Sequence, residues 1–353
     1  MPEQFLLLSK EEREAILENI AQEVNVSAKI LEKDVWVCWC LQTLFSMPNR
    51  LSMVFKGGTS LSKVFDVIFR FSEDVDITID FREMDRGVNA PDESQSNEKN
   101  KKLAELMQED VKEYVVNVIA PYFEKQVKLQ FPGQEIKVQI VDNGKDAERG
   151  GDIHVSYVSA IDTVNPYLKE IVKLEFGGRN SVNPQRPSTV VSELAKHFPN
   201  LTFPSADVDV LVAERTFWEK ATLAHSECKR AVMKTAERLS RHWYDLYELS
   251  KGSIRQSALN DIDLLVDVVL YKNTFYYAGY AKYDECLFGK LNLIPNSDGI
   301  TALKSDYQQM IDERMFYRQP PTFEEMMKHL ATLQNEINTK VLAWKEKTET
   351  VPS

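Results

Sequence analysis

Helical spacing of hydrophobic and polar positions dominates the first 45 residues. The segment Ser9-Lys10-Glu11-Glu12 fits a capping box, and the apolar residues Ile16, Ile20 and Val24 follow at helical spacing. A second helix is predicted over residues 27–45, because their apolar positions form one wide stripe. A stripe of that width favours packing against a sheet.

Strict alternation marks four later segments, each with its apolar residues on one face. These faces consist of Val75, Ile77, Ile79 and Phe81; Ile136, Val138 and Ile140; Ile153, Val155 and Tyr157; and Val172, Leu174 and Phe176. Residues 53–55 form a fifth apolar run. Strands with one buried side, with helices before and between them, predict an α+β fold with a mixed or antiparallel sheet.

The pattern changes in the second half of the chain. Residues 82–102 lack an apolar period and are interpreted as a mobile excursion, and beyond Val210 helical patterns occupy 211–228, 233–250, 257–271 and 323–345. Four prolines fall within 180–207, where we place a boundary. We therefore predict helices that pack on the sheet (1–48), a sheet domain (49–180) and a helical domain (208–353).

The formal net charge of −11 argues against a protein that coats nucleic acid through bulk electrostatics. Residues 220–245 carry six basic residues against three acidic ones, although a solvated helix face accounts for such a run as well. The four cysteines lack paired spacing, so neither a disulfide framework nor a zinc site is indicated. No signal peptide or membrane span is expected, which favours a cytoplasmic protein without a membrane partner.

Asp74 and Asp76 lie two residues apart on the polar face of one predicted strand. Asp-x-Asp alone is weak evidence, but such a pair suits Mg²⁺ or Mn²⁺, whose remaining positions go to water and nucleotide phosphates. Glu175 is the candidate third carboxylate, and Lys173 lies on the same face of its strand, where it could neutralise phosphate charge. A cross-strand ion pair on a solvated face is the alternative for both residues.

A glycine turn, Gly57-Gly58-Thr59-Ser60, lies between a predicted strand and the helical pattern of residues 61–69. Backbone N–H groups at such a turn and helix start can hold a triphosphate. No Gly-Lys-Ser/Thr follows the glycines, so the turn is not a Walker A loop.

These motifs resemble those of the AbiEii/AbiGii toxin family of nucleotidyltransferases. The resemblance rests on Glu32-Lys33-Asp34 and on residues 55–63 and 70–76, and it continues through 173–179, Glu214, Glu219-Lys220 and 241–246. It therefore covers most of the chain. One departure is the spacing between Ser60 and Asp74, whose 13 intervening residues are at the long end for the wider polymerase β group.

The resemblance implies a polymerase β-like nucleotidyltransferase domain followed by a helical domain. It also implies metal-dependent transfer of a nucleoside monophosphate from an NTP to RNA, with tRNA as acceptor as in the related MenT toxins, and a cognate antitoxin encoded nearby. By this resemblance Asp74 and Asp76 bind the metal, and we expect Glu175, the candidate third carboxylate, to assist them. The glycine turn with Ser60 and Lys63 holds the triphosphate, and Lys220 and Asp245 correspond to later functional positions.

Several of these residues could instead have structural roles. Lys220 lies on an apolar helical line, so it needs a phosphate or carboxylate partner unless its long stem reaches water. Asp245 follows Arg241 by four residues, the spacing of an ordinary helix-surface ion pair. Arg70, a candidate for nucleotide binding, and Arg179 could contact phosphate or be structural.

Two other functions remain open at this point. Modification of a protein hydroxyl, an adenylylation-type reaction, fits the acidic net charge better than RNA modification does. A nucleotide-binding regulator without catalysis is the second alternative. The aromatic residues of 275–283 are interpreted as core or domain interface in preference to a surface that stacks RNA bases. The sequence does not specify the NTP, the acceptor or the oligomeric state.

Overall fold

The computed structural model describes residues 3–24, 26–84, 86–141, 151–162, 168–230 and 238–350. The chain divides into two compact units. The sheet unit comprises Met1–Asp66, Phe71–Val88 and Leu106–Leu211. The helical unit comprises Val67–Arg70, Asn89–Glu105 and Val212–Ser353.

Two helices open the sheet unit, α1 (Lys10–Val24) and α2 (Ala28–Phe45). The predicted capping box is present, because the Ser9 N–H donates to Glu12 Oε2 at 2.9 Å and the Glu12 N–H donates to Ser9 Oγ at 3.2 Å. Most residues of α2 are buried, including Trp36 and Trp39. This helix packs on the sheet, as its apolar stripe predicts.

Seven strands form one mixed sheet: β2 (Met53–Lys56), β3 (Asp74–Ile79), β4 (Lys137–Val141), β5 (Gly151–Ser156), β6 (Ile171–Gly177), β7 (Gln185–Val191) and β9 (Ser205–Leu211). Their order in the sheet is β4-β5-β6-β3-β2-β9-β7. The pairs β3·β6 and β2·β9 are parallel and the others antiparallel. Two short segments, β1 (Glu3–Gln4) and β8 (Leu201–Thr202), pair separately. The α+β prediction with a mixed sheet is confirmed.

The strand pattern of β3 separates the core from the opposite face of the sheet. Val75, Ile77 and Ile79 are at most 1% exposed and belong to the main hydrophobic core. Since side chains alternate along a strand, Asp74 and Asp76 project from the other face. Between β2 and β3 lies the short helix α3 (Gly57–Lys63), which begins directly after β2.

The two edges of the sheet differ from what the sequence pattern indicated. Strands β7 and β9 were not among the strands identified from the sequence, although Ala206, Val208 and Val210 alternate as buried residues in β9. Pro187 is tolerated in β7 because β7 is an edge strand. At the other edge, Ile140 of the edge strand β4 is 44% exposed rather than buried.

The predicted irregular stretch 82–102 is also too long. Helix α4 (Asn97–Tyr114) already begins within it and is followed by α5 (Ala120–Gln130). Ser96 caps α4, since its hydroxyl accepts from the Lys99 N–H at 3.4 Å. The first turns of α4 are polar on all sides, so no apolar period was visible there.

The described part of the helical unit contains six α-helices after Val212. They are α6 (Ala213–Lys229), α7 (Ser240–Leu249), α8 (Ser253–Asn260), α9 (Ile262–Phe275), α10 (Ser297–Asp312) and α11 (Phe323–Thr350). The sequence pattern did not predict α10, and residues 233–237 of the second helical pattern lie outside the described residues. In the ranges described above, no helix is both long and apolar enough to cross a membrane.

Candidate functional site

The sheet aligns charged residues of four neighbouring strands in one row. Asp76 of β3 lies opposite Lys56 of β2 on one side and opposite Glu175 of β6 on the other. Asp152 of β5 lies in turn opposite Glu175. Because directly opposed residues of paired strands project from the same face, the three carboxylates share the polar face of the sheet.

A second row lies next to the first, two residues nearer the start of β3. Asp74 lies opposite Lys173, which lies opposite His154. The Lys173 ammonium is 3.8 Å from Asp74 Oδ1, and the side chain of Lys173 is 32% exposed. The cross-strand ion pair considered for Lys173 is therefore present. Burial lowers the pKa of His154, and Lys173 lowers it further, so the neutral imidazole is favoured at neutral pH.

The glycine turn places α3 directly against this carboxylate row. Gly57 has φ of +77°, and a Cβ atom on it would be 2.0 Å from Asp76 Oδ2. The Thr59 hydroxyl donates to the Asp74 backbone oxygen, which ties the first turn of α3 to the start of β3. The Ser60 hydroxyl donates to the Gly57 carbonyl oxygen at 2.9 Å and is fully buried. The turn and the two aspartates thus form one continuous structure.

Lys63, predicted to bind nucleotide, lies at the C-terminal end of α3. Its ammonium donates to the carboxylate of Asp34 on α2. The other carboxylate oxygen of Asp34 accepts from the Glu193 N–H at 2.8 Å. In this arrangement Lys63 anchors α3 to α2.

Arg70, Lys220 and Asp245 form a buried cluster within the helical unit. The Arg70 guanidinium donates to both carboxylate oxygens of Asp245 at 2.7 Å, and the Lys220 ammonium is 2.8 Å from Asp245 Oδ2. Asp245 is 0% exposed. The predicted alternative of a helix-surface pair between Asp245 and Arg241 is therefore wrong, whereas the carboxylate partner considered for Lys220 is present.

Charge pairing allows this cluster to be buried. Burial by itself would raise the pKa of Asp245, but Arg70 and Lys220 outweigh it and hold that pKa well below its usual range. Burial lowers the pKa of Lys220, an effect that Asp245 opposes. The two cations and the carboxylate therefore depend on one another.

The remaining candidate residues have mixed placements. Of the aromatic run, Phe275 and Tyr283 are buried, as favoured, whereas Tyr277 is 54% exposed. Arg179 is 9% exposed and belongs to the sheet unit. Part of the basic run 220–245 lies outside the described residues.

Sequence reasoning missed Asp152, Lys56 and His154 as members of the site. The signal for two of them was available, because Ile153 and Val155 were already assigned to the core face of their strand. Alternation then places Asp152 and His154 on the polar face. What the sequence could not give was the strand order that brings β5 beside β6.

The carboxylates of this face suit a hard divalent cation whose coordination shell is completed by the substrate. Among the residues described, no three carboxylates, imidazoles or thiols converge as a ready-made metal site. Mg²⁺ commonly uses only one or two protein carboxylates and takes its other ligands from water and nucleotide phosphates. Asp74 and Asp76, on one face of a rigid strand, fit that use.

A mixed sheet with paired carboxylates beside a Gly-Gly-Thr-Ser helix start is the arrangement expected of a nucleotidyltransferase. Residues 39–329 match the model of the AbiEii family, described as a nucleotidyl transferase toxin of a type IV toxin-antitoxin system. The chain belongs to this family and is a nucleotidyltransferase toxin. Membership implies a cognate antitoxin.

Among solved structures, the chain is similar to MenT4, a nucleotidyltransferase toxin from Mycobacterium tuberculosis H37Rv. The identity is 15%, the match covers 94% of this chain and 99% of MenT4, and the TM-score is 0.38. No curated protein sequence matches the chain.

Proposed function

We propose that this toxin transfers a nucleoside monophosphate from an NTP to a hydroxyl of RNA, with the 3′ end of tRNA as acceptor and pyrophosphate as the other product. The observation that carries the proposal is the row of Asp76, Glu175 and Asp152 beside the start of α3. The choice of RNA follows from the family resemblance.

Asp74 and Asp76 are proposed to hold Mg²⁺, with Glu175 completing the acidic face. The bound ion would stabilise charge on the triphosphate and lower the pKa of the attacking hydroxyl. Lys173, partly exposed beside Asp74, is proposed to neutralise phosphate charge. Catalysis of this kind depends mainly on positioning and electrostatics, which a rigid sheet supplies.

The first turn of α3 is proposed to hold the triphosphate through backbone N–H groups of residues 57–60. Four N–H groups at a helix start have no partner within the helix, and they favour anionic ligands. The side chains of Thr59 and Ser60 are bonded within the protein, so we assign them to shaping this turn. We assign Lys63 to anchoring α3, and Arg70, Lys220 and Asp245 to stabilising the helical unit.

The proposal is tested by incubating the purified protein with total tRNA, Mg²⁺ and each α-³²P-labelled NTP in turn. Asp76→Asn removes one carboxylate with little change in shape. Asp207→Asn is the matched control, because Asp207 is an exposed carboxylate on β9 of the same sheet, bonded to Thr189. Label on RNA from the wild type and from Asp207→Asn, but not from Asp76→Asn, supports the proposal.

Other outcomes separate the alternatives. Label on protein, with the tRNA unlabelled, would show that the acceptor is a protein and not RNA. Label nowhere, combined with Mg²⁺-dependent NTP binding, would favour a regulator without catalysis.

A further inference from the structure

Helix α2 carries three consecutive charged residues in the interior of the sheet unit. Glu32 is 1% exposed, Lys33 is 2% exposed, and Asp34 is half-buried. Charged side chains are almost never fully buried unless they are paired. These residues precede the family match, which begins at residue 39, so their role has to be inferred from their contacts.

Lys33 connects the starts of two strands of the proposed site. Its ammonium donates to the carboxylate of Glu73 and, at 3.1 Å, to the backbone oxygen of Lys169. Glu73 directly precedes β3, which begins at Asp74, and Lys169 lies two residues before β6. The ammonium also lies 5.8 Å from the ring centroid of Phe71. One side chain therefore holds both segments that lead into these strands.

The residues on either side of Lys33 anchor other parts of the sheet unit. Glu32 accepts from the Ala160 N–H at 2.7 Å and from the Ser159 hydroxyl, shortly after β5 ends. Asp34 accepts from Lys63 at the end of α3. Glu32 and Asp34 thus hold other elements of the unit. Of the three charged residues, Lys33 is the one that contacts the starts of both β3 and β6.

Thermodynamic stability alone does not account for a buried ammonium here. Burying a charged pair carries a desolvation cost, and well-packed apolar residues of similar volume often stabilise a protein at least as well. An ammonium has three donors that can fix two acceptors in one geometry, which an apolar side chain cannot do. The ladder between β3 and β6 sets the register of the two strands, and what Lys33 adds over an apolar residue is a fixed position for the two segments that lead into this ladder.

We infer that Lys33 is a positioning residue for nucleotide transfer: it fixes the starts of β3 and β6 and so sets Asp74 and Asp76 relative to Lys173 and Glu175. This inference rests on the proposed function. Positional errors of about 1 Å in an active site can cost about 100-fold in rate. Loss of this anchor is therefore expected to lower kcat and to leave KM nearly unchanged.

The chain offers a matched control one helical turn earlier. Lys29 is 7% exposed and bonds to Glu170 at 2.7 Å, beside Lys169. Lys29→Met therefore removes a buried ammonium from the same helix and loosens only the start of β6. Lys33→Met loosens the starts of both strands.

The test compares Lys33→Met with Lys29→Met by melting temperature, kcat, KM and amide hydrogen exchange. Lys33→Met is expected to lower kcat by about 10- to 100-fold at similar KM, and to raise exchange in both 71–76 and 169–173. Lys29→Met should raise exchange only in 169–173 and keep kcat within about twofold of wild type. Equal kcat values for the two variants would overturn the inference.

A double variant distinguishes positioning from simple stability. Lys33→Met/Glu73→Leu removes both partners of the pair, so stability should recover relative to Lys33→Met. Positioning predicts that kcat stays low, whereas a purely structural role predicts that kcat recovers together with the melting temperature.

A readout without turnover separates failure of this inference from failure of the proposed function. The affinity for Mn²⁺ alone, measured by electron paramagnetic resonance, should fall about 10-fold in Lys33→Met and remain unchanged in Lys29→Met. If the wild type transfers no label yet shows this difference, the proposed reaction fails and the positioning of the carboxylates stands. Unchanged Mn²⁺ affinity and exchange in Lys33→Met would contradict the positioning itself.

Discussion

Gly57 and Asp76 are in such close contact that a methyl group on Gly57 would lie 2.0 Å from Asp76 Oδ2. Gly57 also has φ of +77°, a conformation that L side chains rarely adopt. The proposed triphosphate site and the proposed metal ligand therefore share one surface, and this surface requires glycine. Neither the positive φ nor the contact is visible in the sequence, where Gly57 is only the first residue of a glycine turn.

Gly57→Ala is expected to lower transfer activity at least about 10-fold and to destabilise the sheet unit by about 2–4 kcal/mol, through backbone strain and displacement of Asp76. Chemical denaturation and the labelling assay measure the two effects. Gly177→Ala is the control, because a Cβ atom on Gly177 would meet nothing within 4 Å. Equal behaviour of the two variants would show that the contact between Gly57 and Asp76 is unimportant.

The row of three carboxylates predicts graded effects along the sheet. Asp152→Asn is expected to lower transfer by about 10- to 100-fold, as is usual for groups that orient metal ligands, and Asp76→Asn by more. Asp152 is 5% exposed and lies opposite Glu175 rather than next to Asp76. Steady-state rates at saturating NTP measure the activities of the two variants relative to wild type. Wild-type activity of Asp152→Asn would show that only the carboxylates of β3 and β6 contribute to the site.

Asp245 should contribute stability in a pH-dependent way. Asp245→Asn is expected to destabilise the protein by about 3–5 kcal/mol near neutral pH, because Arg70 and Lys220 would remain buried without their carboxylate. The pKa of Asp245 in the folded state lies below its ordinary value of 3.8. Its contribution is therefore complete above that value and is lost as the pH falls through the lower, folded-state pKa.

Urea unfolding of wild type and Asp245→Asn at several pH values checks this prediction. The difference in free energy of unfolding should be constant from about pH 7 to about pH 5 and should shrink below about pH 4. Glu324→Gln serves as control, since Glu324 forms an exposed pair with Lys304 on the surface. A difference that grows with acidity would contradict the ionised state of buried Asp245.

Metal removal should strongly weaken nucleotide binding. With saturating NTP and Mg²⁺, the melting temperature is expected to rise by several degrees, since a ligand present at about 100 times its Kd stabilises by about 2.7 kcal/mol. EDTA should remove most of this shift, because Asp74 and Asp76 would otherwise repel the triphosphate. A shift that persists in EDTA would show that the triphosphate binds without a cation.

The sequence predicted local structure at this site well and spatial neighbours less well. Alternation of apolar residues correctly identified β3 and β6 and the polar faces that carry Asp74 and Glu175. It could not show that β5 lies next to β6, because strand order depends on the packing of distant elements. Asp152 was missed for that reason.

The partners of buried charged residues could not be predicted from the sequence either. The spacing of Arg241 and Asp245 suggested a surface pair, yet Asp245 is fully buried and bonded to Arg70, 175 residues away in the chain. Lys33 was noticed only as part of a motif, and its bonds to Glu73 and Lys169 depend on the fold. Long-range pairing of this kind cannot be read from local periodicity.

The most direct test of the proposed chemistry compares wild type with Asp74→Asn and Asp76→Asn in the tRNA labelling assay, using the NTP that gives the strongest signal. Circular dichroism and melting temperature establish that each variant is folded. We expect either substitution to lower the initial rate of label transfer to RNA by at least about 100-fold, as loss of a group that stabilises the transition state does. Transfer to RNA at the wild-type rate by a folded Asp76→Asn protein would contradict metal-dependent transfer at this site.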